Sequence, residues 1–100
     1  MNKNIDIEKY TSQMDSNGYV IYGRDNCRYC LLALELLRYN KIEESDITYI
    51  KINDINKRKE FYNYINYKLE LHTKTVPQIF YNGNHIGGYD SLCNFFTNKN

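Results

Sequence analysis

The fold is decided by the stretch YVIYGRDNCRYCLLALELLRYN at residues 19–40. Its first four residues, Tyr19–Tyr22, are β-branched or aromatic with almost no polar alternation, which predicts a strand covered on both faces. Gly23 closes this strand, and a short polar turn follows. From about Arg28 to Asn40, leucines recur at the three- and four-residue spacing of one helical face, so we predict a mostly buried helix.

A second β-branched run lies downstream of this helix, at Ile47–Ile52, and it alternates so that one of its faces is apolar. Strand, helix and strand follow one another within about 35 residues, which is the length of a βαβ unit. The handedness rule for such units places the two strands parallel in one sheet. The fold class is therefore predicted to be α/β.

The residues after the second strand predict a helix and then an antiparallel hairpin. Asn53-Asp54 can cap a helix that starts at Ile55 and ends near Leu71, with apolar residues at four-residue spacing. Beyond it, Gln78–Tyr81 and His85-Ile86 flank Asn82-Gly83, a dipeptide that favours a tight turn between antiparallel strands.

Each end of the chain predicts one more helix. Ile5 to Met14 has apolar or aromatic residues at helical spacing, and the segment from Ser91 to about Thr97 is apolar on one side, with Asp90 available as its cap. A length of 100 residues suits one domain. We therefore expect residues 1–100 to form a single domain, in which residues 1–17 are a helical extension of a core at 19–97.

The composition excludes several classes of protein. With 42% hydrophobic and 25% charged residues, the chain is of the ordinary globular class. A net charge of +1 leaves no polybasic patch, so neither nucleic acid nor a membrane surface is an expected partner. No apolar run approaches the ~20 residues that cross a bilayer or suits a secretory signal. Three cysteines are too few for a disulfide scaffold, so we expect a cytoplasmic protein with reduced thiols.

The motif Cys27-Arg28-Tyr29-Cys30 is the most informative one, because it falls where the first strand ends and the helix begins. The unpaired N–H groups and the partial positive charge of a helix N-terminus favour the thiolate of Cys27. That thiolate would attack disulfides at neutral pH. Cys30 lies one turn deeper and is near enough to close a disulfide onto Cys27, so it is the expected resolving thiol.

Two other interpretations of this motif stay open. A single Cys-x-x-Cys could be half of a structural zinc site, although His72, His85 and Cys93 stand alone and supply no second ligand pair. Both cysteines could also be inert core residues, an interpretation that the loop position of Cys27 disfavours. Cys93 itself is predicted to be a small packed residue on the last helix.

Three motifs occur along the chain in a fixed order: Cys27-Arg28-Tyr29-Cys30, Thr75-Val76-Pro77 and Gly87-Gly88-Tyr89-Asp90. Together they resemble the glutaredoxin family, whose fold is thioredoxin-like, and the resemblance runs from about Tyr19 to Phe96. It implies a four-stranded mixed sheet in which the antiparallel hairpin joins the parallel pair. Helices are expected on both faces of this sheet, with the N-terminal helix as an addition.

The resemblance also implies a glutathione site. The backbone of Val76, before an expected cis Pro77, would pair with the cysteinyl part of glutathione. Arg24 and Lys74 match the family's basic positions, which bind the glycine carboxylate, and Asp90 would meet the γ-glutamyl end. The full set of expected glutathione-binding residues is Arg24, Tyr29, Lys74, Thr75, Val76, Pro77, Gly88, Tyr89 and Asp90.

The activity implied by the resemblance is glutathione-dependent thiol–disulfide exchange with Cys27 and Cys30 as the catalytic pair. The expected substrates are protein disulfides and protein–glutathione mixed disulfides; glutathione is the reductant, no metal is expected, and the chain is a monomer. Arg28 stands where many dithiol glutaredoxins have proline, and some members without that proline hold a [2Fe–2S] cluster between two subunits, which is one alternative. The other is a thioredoxin-type electron donor to ribonucleotide reductase.

Overall fold

The structure, a computed structural model, describes residues 11–98 of the chain. Its strands form one mixed sheet in the order β2-β1-β3-β4. The elements in chain order are β1 (Tyr19–Gly23), α1 (Arg28–Tyr39), a short 3₁₀ helix (Glu44–Asp46), β2 (Ile47–Lys51), α2 (Ile55–Leu69), β3 (Gln78–Tyr81), β4 (Asn84–Gly87) and α3 (Tyr89–Asn98).

The sheet contains the predicted parallel pair and the predicted hairpin. β1 and β2 pair in parallel, with Tyr19 opposite Ile47. β3 pairs antiparallel with both β1 and β4. In the turn between β3 and β4, Asn82 and Gly83 have φ angles of 50° and 85°, which asparagine and glycine adopt most readily. The predicted α/β class with a four-stranded mixed sheet is confirmed.

Side chains of β1 alternate between two apolar cores, one on each face of the sheet. All five residues of this strand are buried, as its lack of polar alternation predicted. On one face, the Tyr22 ring stacks on Phe61 of α2 with the ring centroids 4.5 Å apart. On the other face, Ile21 belongs to a core that includes Leu37 of α1 and Leu92 of α3. The end of β1 is thus held from both sides.

The N-terminus of α2 has the predicted cap. The Asp54 side chain accepts the backbone N–H groups of Asn56 and Lys57 at 2.8 and 3.1 Å. Such a cap satisfies backbone donors that the first helical turn leaves unpaired. The helix ends at Leu69, and Glu70 follows with a left-handed backbone (φ 56°).

The prediction that α1 is mostly buried is wrong. Only Cys30, Ala33 and Leu37 of this helix are buried, and the Leu31 side chain is 55% exposed. The helix covers one face of the sheet, so only the stripe of residues that faces the strands loses contact with water.

The last helix begins at Tyr89 and not at Ser91, so the prediction that Asp90 caps it is wrong. The Gly88 carbonyl accepts the N–H of Leu92 at 3.0 Å, which makes Gly88 the residue that precedes the helix. Asp90 therefore lies inside the first turn of α3, where the positive end of the helix dipole stabilises a carboxylate.

The predicted N-terminal helix, Ile5 to Met14, lies mostly outside the described residues. Of its described part, Met14 is 3% exposed and packs in the core between the sheet and α2. The N–H of Met14 donates to the Thr11 carbonyl at 3.0 Å. Among residues 11–98, no helix is long and apolar enough to cross a membrane.

Candidate active site

Cys27 and Cys30 lie where β1 gives way to α1, as the sequence predicted. Cys27 is the residue before the helix; its backbone is extended (φ −117°, ψ 113°), and its carbonyl accepts the N–H of Leu31 at 3.1 Å. The Cys27 side chain is partly exposed, whereas Cys30 in the first turn is 1% exposed. Both thiols are free. One sulfur is therefore accessible to a partner, and the other lies behind it.

Burial separates the chemistry of the two thiols. Burial, together with the neighbouring Cys27 thiol, raises the pKa of the Cys30 thiol to about 11. Cys30 therefore keeps its proton at pH 7. Cys27 directly precedes α1, beside the N–H groups of the first helical turn, and its side chain is partly exposed. Cys27 is consequently the sulfur that an incoming disulfide can reach.

The segment Thr75-Val76-Pro77 lies beside Cys27. The peptide bond between Val76 and Pro77 is cis, as the family resemblance implied. The Cys27 thiol donates a hydrogen bond to the Val76 carbonyl, with a sulfur-to-oxygen distance of 3.8 Å. A backbone edge next to the sulfur can pair with an extended peptide as an added strand does.

The buried side chain of Gln78 braces this segment. Its amide nitrogen donates to the Thr73 hydroxyl at 2.9 Å and to the Thr75 carbonyl at 3.0 Å. Its amide oxygen lies 2.8 Å from Nε2 of His85, which must therefore donate. Burial lowers the pKa of His85, which favours the neutral ring. Asn66 adds two hydrogen bonds to the backbone of Thr73, at 2.9 and 3.0 Å.

A cleft of about 400 Å³ opens between this segment and the start of α3. It brings together all of the predicted glutathione-binding residues except Arg24 and Lys74, and it adds Ser91, which the sequence reasoning missed. The rings of Tyr29 and Tyr89 stand on its rim with their centroids 6.0 Å apart. The cleft is lined by Tyr29, Thr75, Val76, Pro77, Gly88, Tyr89, Asp90 and Ser91.

The glycine pair shapes the polar end of the cleft. Gly87 has φ of 124°, and a Cβ there would lie 2.7 Å from the Ser91 hydroxyl, so this position excludes other residues. A Cβ on Gly88 would meet only the Pro77 carbonyl, at an ordinary 3.6 Å. Gly88 is followed by the first-turn N–H groups of α3, which have no partner inside the helix and suit an anion.

The structure does not bring Arg24 and Lys74 to the walls of the cleft. Arg24 lines a neighbouring cavity of about 380 Å³ together with Cys27 and Cys30. Its guanidinium donates to the Asp25 carbonyl at 3.2 Å. Lys74 is exposed on the segment that precedes Thr75-Val76-Pro77. Their role as ligands of a carboxylate stays a prediction.

Cys93, the third cysteine, is free and half-buried on α3. The Thr97 hydroxyl donates to its carbonyl at 3.0 Å, and a hydrogen bond to its side chain raises the pKa of Tyr89. Within the described part of the chain, His, Cys, Asp and Glu side chains form no group of three or more that could hold a metal ion.

Comparison with known proteins identifies the family. The family model described as Glutaredoxin matches residues 19–86. This chain belongs to the glutaredoxin family. It is 37% identical to Glutaredoxin 1 of Escherichia coli strain K12 over 78 residues, which cover 74% of this chain and 86% of that protein.

Solved glutaredoxins have the same fold. The crystal structure of Glutaredoxin 1 from Francisella tularensis complexed with cacodylate is 31% identical, with a TM-score of 0.71 over 82% of this chain and 94% of that one. The buckwheat glutaredoxin–glutathione complex is 21% identical and matches in fold, with a TM-score of 0.78 over 97% of this chain and 84% of that one. This glutaredoxin is therefore a thiol–disulfide oxidoreductase, and the Cys27–Cys30 spacing fits its Cys-x-x-Cys site.

Proposed function

We propose that this glutaredoxin uses glutathione to reduce protein disulfides and protein–glutathione mixed disulfides. Cys27 is the nucleophile, and Cys30 is the resolving thiol. The observation that carries the proposal is the position of the Cys27 sulfur, which is partly exposed and 3.8 Å from the Val76 carbonyl at the edge of the cleft. A glutaredoxin of the same fold, from buckwheat, has been solved as a complex with glutathione.

The shape and polarity of the cleft suit this tripeptide. Its volume of about 400 Å³ lies in the range of ~300–1,000 Å³ that is typical of small-molecule sites. The cysteinyl part of glutathione pairs with the backbone of Val76, which places its sulfur against Cys27. The γ-glutamyl carboxylate accepts the first-turn N–H groups of Tyr89 and Asp90, and the Asp90 carboxylate binds the ammonium.

Two exchange steps complete the cycle on a glutathionylated protein. The Cys27 thiolate attacks the glutathione sulfur, the protein thiolate leaves, and a disulfide between Cys27 and glutathione remains in the cleft. A second glutathione attacks that sulfur, releases oxidised glutathione and regenerates the Cys27 thiolate. With a protein disulfide as substrate, Cys30 instead displaces the protein from Cys27, and glutathione then reduces the Cys27–Cys30 disulfide.

The proposal also covers the localisation, oligomeric state and partners of the protein. Three free thiols suit a reducing compartment, and we place the protein in the cytoplasm as a monomer. Its direct partners are glutathione and proteins that carry disulfides or glutathionyl groups. Ribonucleotide reductase stays a candidate target on the strength of the family resemblance.

Serine variants of the three cysteines test the assignment. The assay couples reduction of a small glutathionyl mixed disulfide to NADPH through glutathione reductase. Cys27→Ser is expected to abolish activity, because the attacking sulfur is lost, whereas Cys30→Ser retains most of it. Cys93→Ser is the matched control and leaves the rate unchanged. Activity in Cys27→Ser, or a loss in Cys30→Ser as complete as in Cys27→Ser, would contradict the proposed roles.

A further inference from the structure

We infer that Tyr49 is a positioning residue for the resolving thiol. Its hydroxyl donates a hydrogen bond to the Cys30 thiolate while that sulfur attacks the mixed disulfide on Cys27. The inference rests on the proposed function in one respect, namely that Cys30 is the resolving thiol.

The geometry places the Tyr49 hydroxyl and the Cys30 sulfur together over Gly23. A Cβ built on this glycine would lie 2.9 Å from Sγ of Cys30 and would overlap the Tyr49 hydroxyl. The two polar atoms thus share the space that the absent side chain leaves at the end of β1. The Tyr49 hydroxyl also donates to the Arg24 carbonyl at 3.3 Å, which holds the phenol in that position. Both side chains line the cavity that contains Cys27.

The groups around Cys30 show that the Tyr49 hydroxyl favours the thiolate form of Cys30. The pKa of the Cys30 thiol is raised to about 11 in total. Burial is the largest cause of the increase, whereas hydrogen bonds with the Arg24 backbone and the Tyr49 hydroxyl lower this pKa. A hydrogen-bond donor stabilises a thiolate, and the Tyr49 hydroxyl can be that donor. Burial, and then the charge of Cys30, raise the pKa of Tyr49 above its ordinary value, so the phenol keeps its proton and serves as a donor.

The step balances without any further reactant. Cys30 gives its proton to water, and its thiolate attacks Sγ of Cys27 in the mixed disulfide with a substrate thiol. The Cys27–Cys30 bond forms as the bond from Cys27 to the substrate sulfur breaks, and the electron pair leaves on the substrate thiolate, which takes up a proton. The two cysteines are oxidised, and the substrate is reduced. Tyr49 keeps its proton and turns it from the Arg24 carbonyl towards the thiolate.

Removal of the hydroxyl has a calculable effect on closure of the Cys27–Cys30 disulfide. A hydrogen bond to a charged group changes an equilibrium about tenfold or more, so Tyr49→Phe lowers the thiolate fraction of Cys30 about tenfold at pH 7. A more basic thiolate is a better nucleophile, with a Brønsted slope of about 0.4–0.5, which restores about threefold. We expect closure to be about threefold slower at pH 7.

A rapid-mixing experiment isolates this step. The reduced full-length protein is mixed with excess oxidised glutathione, quenched with acid at intervals, and analysed by intact-mass spectrometry. The mass of the glutathione adduct reports attack by Cys27, and its loss reports closure by Cys30. Tyr62→Phe is the matched control, since Tyr62 is another half-buried tyrosine whose pKa is raised chiefly by burial and whose side chain has its hydrogen bond with Arg58.

The expected result is an adduct that forms in Tyr49→Phe at the unmodified rate and closes about threefold more slowly. The pH profile of closure moves up by about one pH unit, which a merely structural role would not cause. Equal closure rates and equal pH profiles would overturn the inference, as would the same slowing in Tyr62→Phe. Thermal unfolding shows that each variant is folded. If the unmodified protein forms neither the adduct nor the Cys27–Cys30 disulfide, the proposed function itself is overturned, which is a distinct outcome.

Discussion

Replacement of Gln78 by leucine tests how the segment beside Cys27 is held. The substitution keeps about the same volume but removes three hydrogen bonds, those to the Thr73 hydroxyl, the Thr75 carbonyl and His85. Gln78 is 3% exposed, so water cannot replace these bonds. At about 1 kcal/mol for each bond, the free energy of unfolding falls by about 2–3 kcal/mol. For a domain of this size, that lowers Tm by about 10–20 °C.

The same substitution is expected to weaken the use of glutathione. The freed segment no longer holds the Val76 carbonyl beside the Cys27 sulfur, so KM for glutathione rises while the thiols themselves are unchanged. Calorimetry gives Tm and the coupled assay gives KM. Asn40→Leu is the matched control. The Asn40 amide donates one exposed hydrogen bond to the Leu36 carbonyl, at the end of α1 opposite to Cys27. A shift in Tm for Gln78→Leu no larger than that of this control would show that the three hydrogen bonds do not hold the segment.

Further predictions concern the hairpin, His85 and the start of α3. Gly87→Ala is expected to cost about 1–3 kcal/mol in urea unfolding, because of the positive φ and the close Ser91 hydroxyl, whereas Gly88→Ala costs much less; equal losses would contradict this. Burial lowers the pKa of His85, so the unfolded chain binds its proton more readily and stability falls as pH drops below about 6.5. Denaturation curves at several pH values should show this slope reduced in His85→Gln. Asp90→Asn is expected to raise KM for glutathione about threefold with little change in kcat, as measured in the coupled assay.

Local signals in the sequence were sufficient for most of the fold. The unbroken apolar run of β1 predicted burial on both faces. Asn82-Gly83 predicted a turn and Asn53-Asp54 predicted a cap, and both features depend only on neighbouring residues. The start of α3 was predicted wrongly because the Gly88 carbonyl accepts the N–H of Leu92. The residue types in this segment do not predict that hydrogen bond. The exposure of Leu31 depends on which side of α1 meets the sheet.

The sequence likewise predicted one part of the candidate site and missed another part. The predicted residues that line the cleft were chosen because they belong to short motifs that resemble the family, and Cys27 was chosen also for its place before a helix. Gln78, Tyr49 and Ser91 were missed, because each acts through a partner distant in the sequence or in space that periodicity does not reveal. Gln78 read as an ordinary strand residue, and its importance comes from the hydrogen bonds that it makes to Thr73 and His85.

The proposed activity depends on Cys27, which is the partly exposed sulfur at the start of α1, reacting before the other thiols. Its most direct test is a reaction of the reduced protein with a limiting amount of iodoacetamide at neutral pH, followed by peptide mapping. We expect nearly all of the label on Cys27 and a reaction faster than that of free glutathione. Label found mainly on Cys93, or a rate no greater than that of free glutathione, would contradict it.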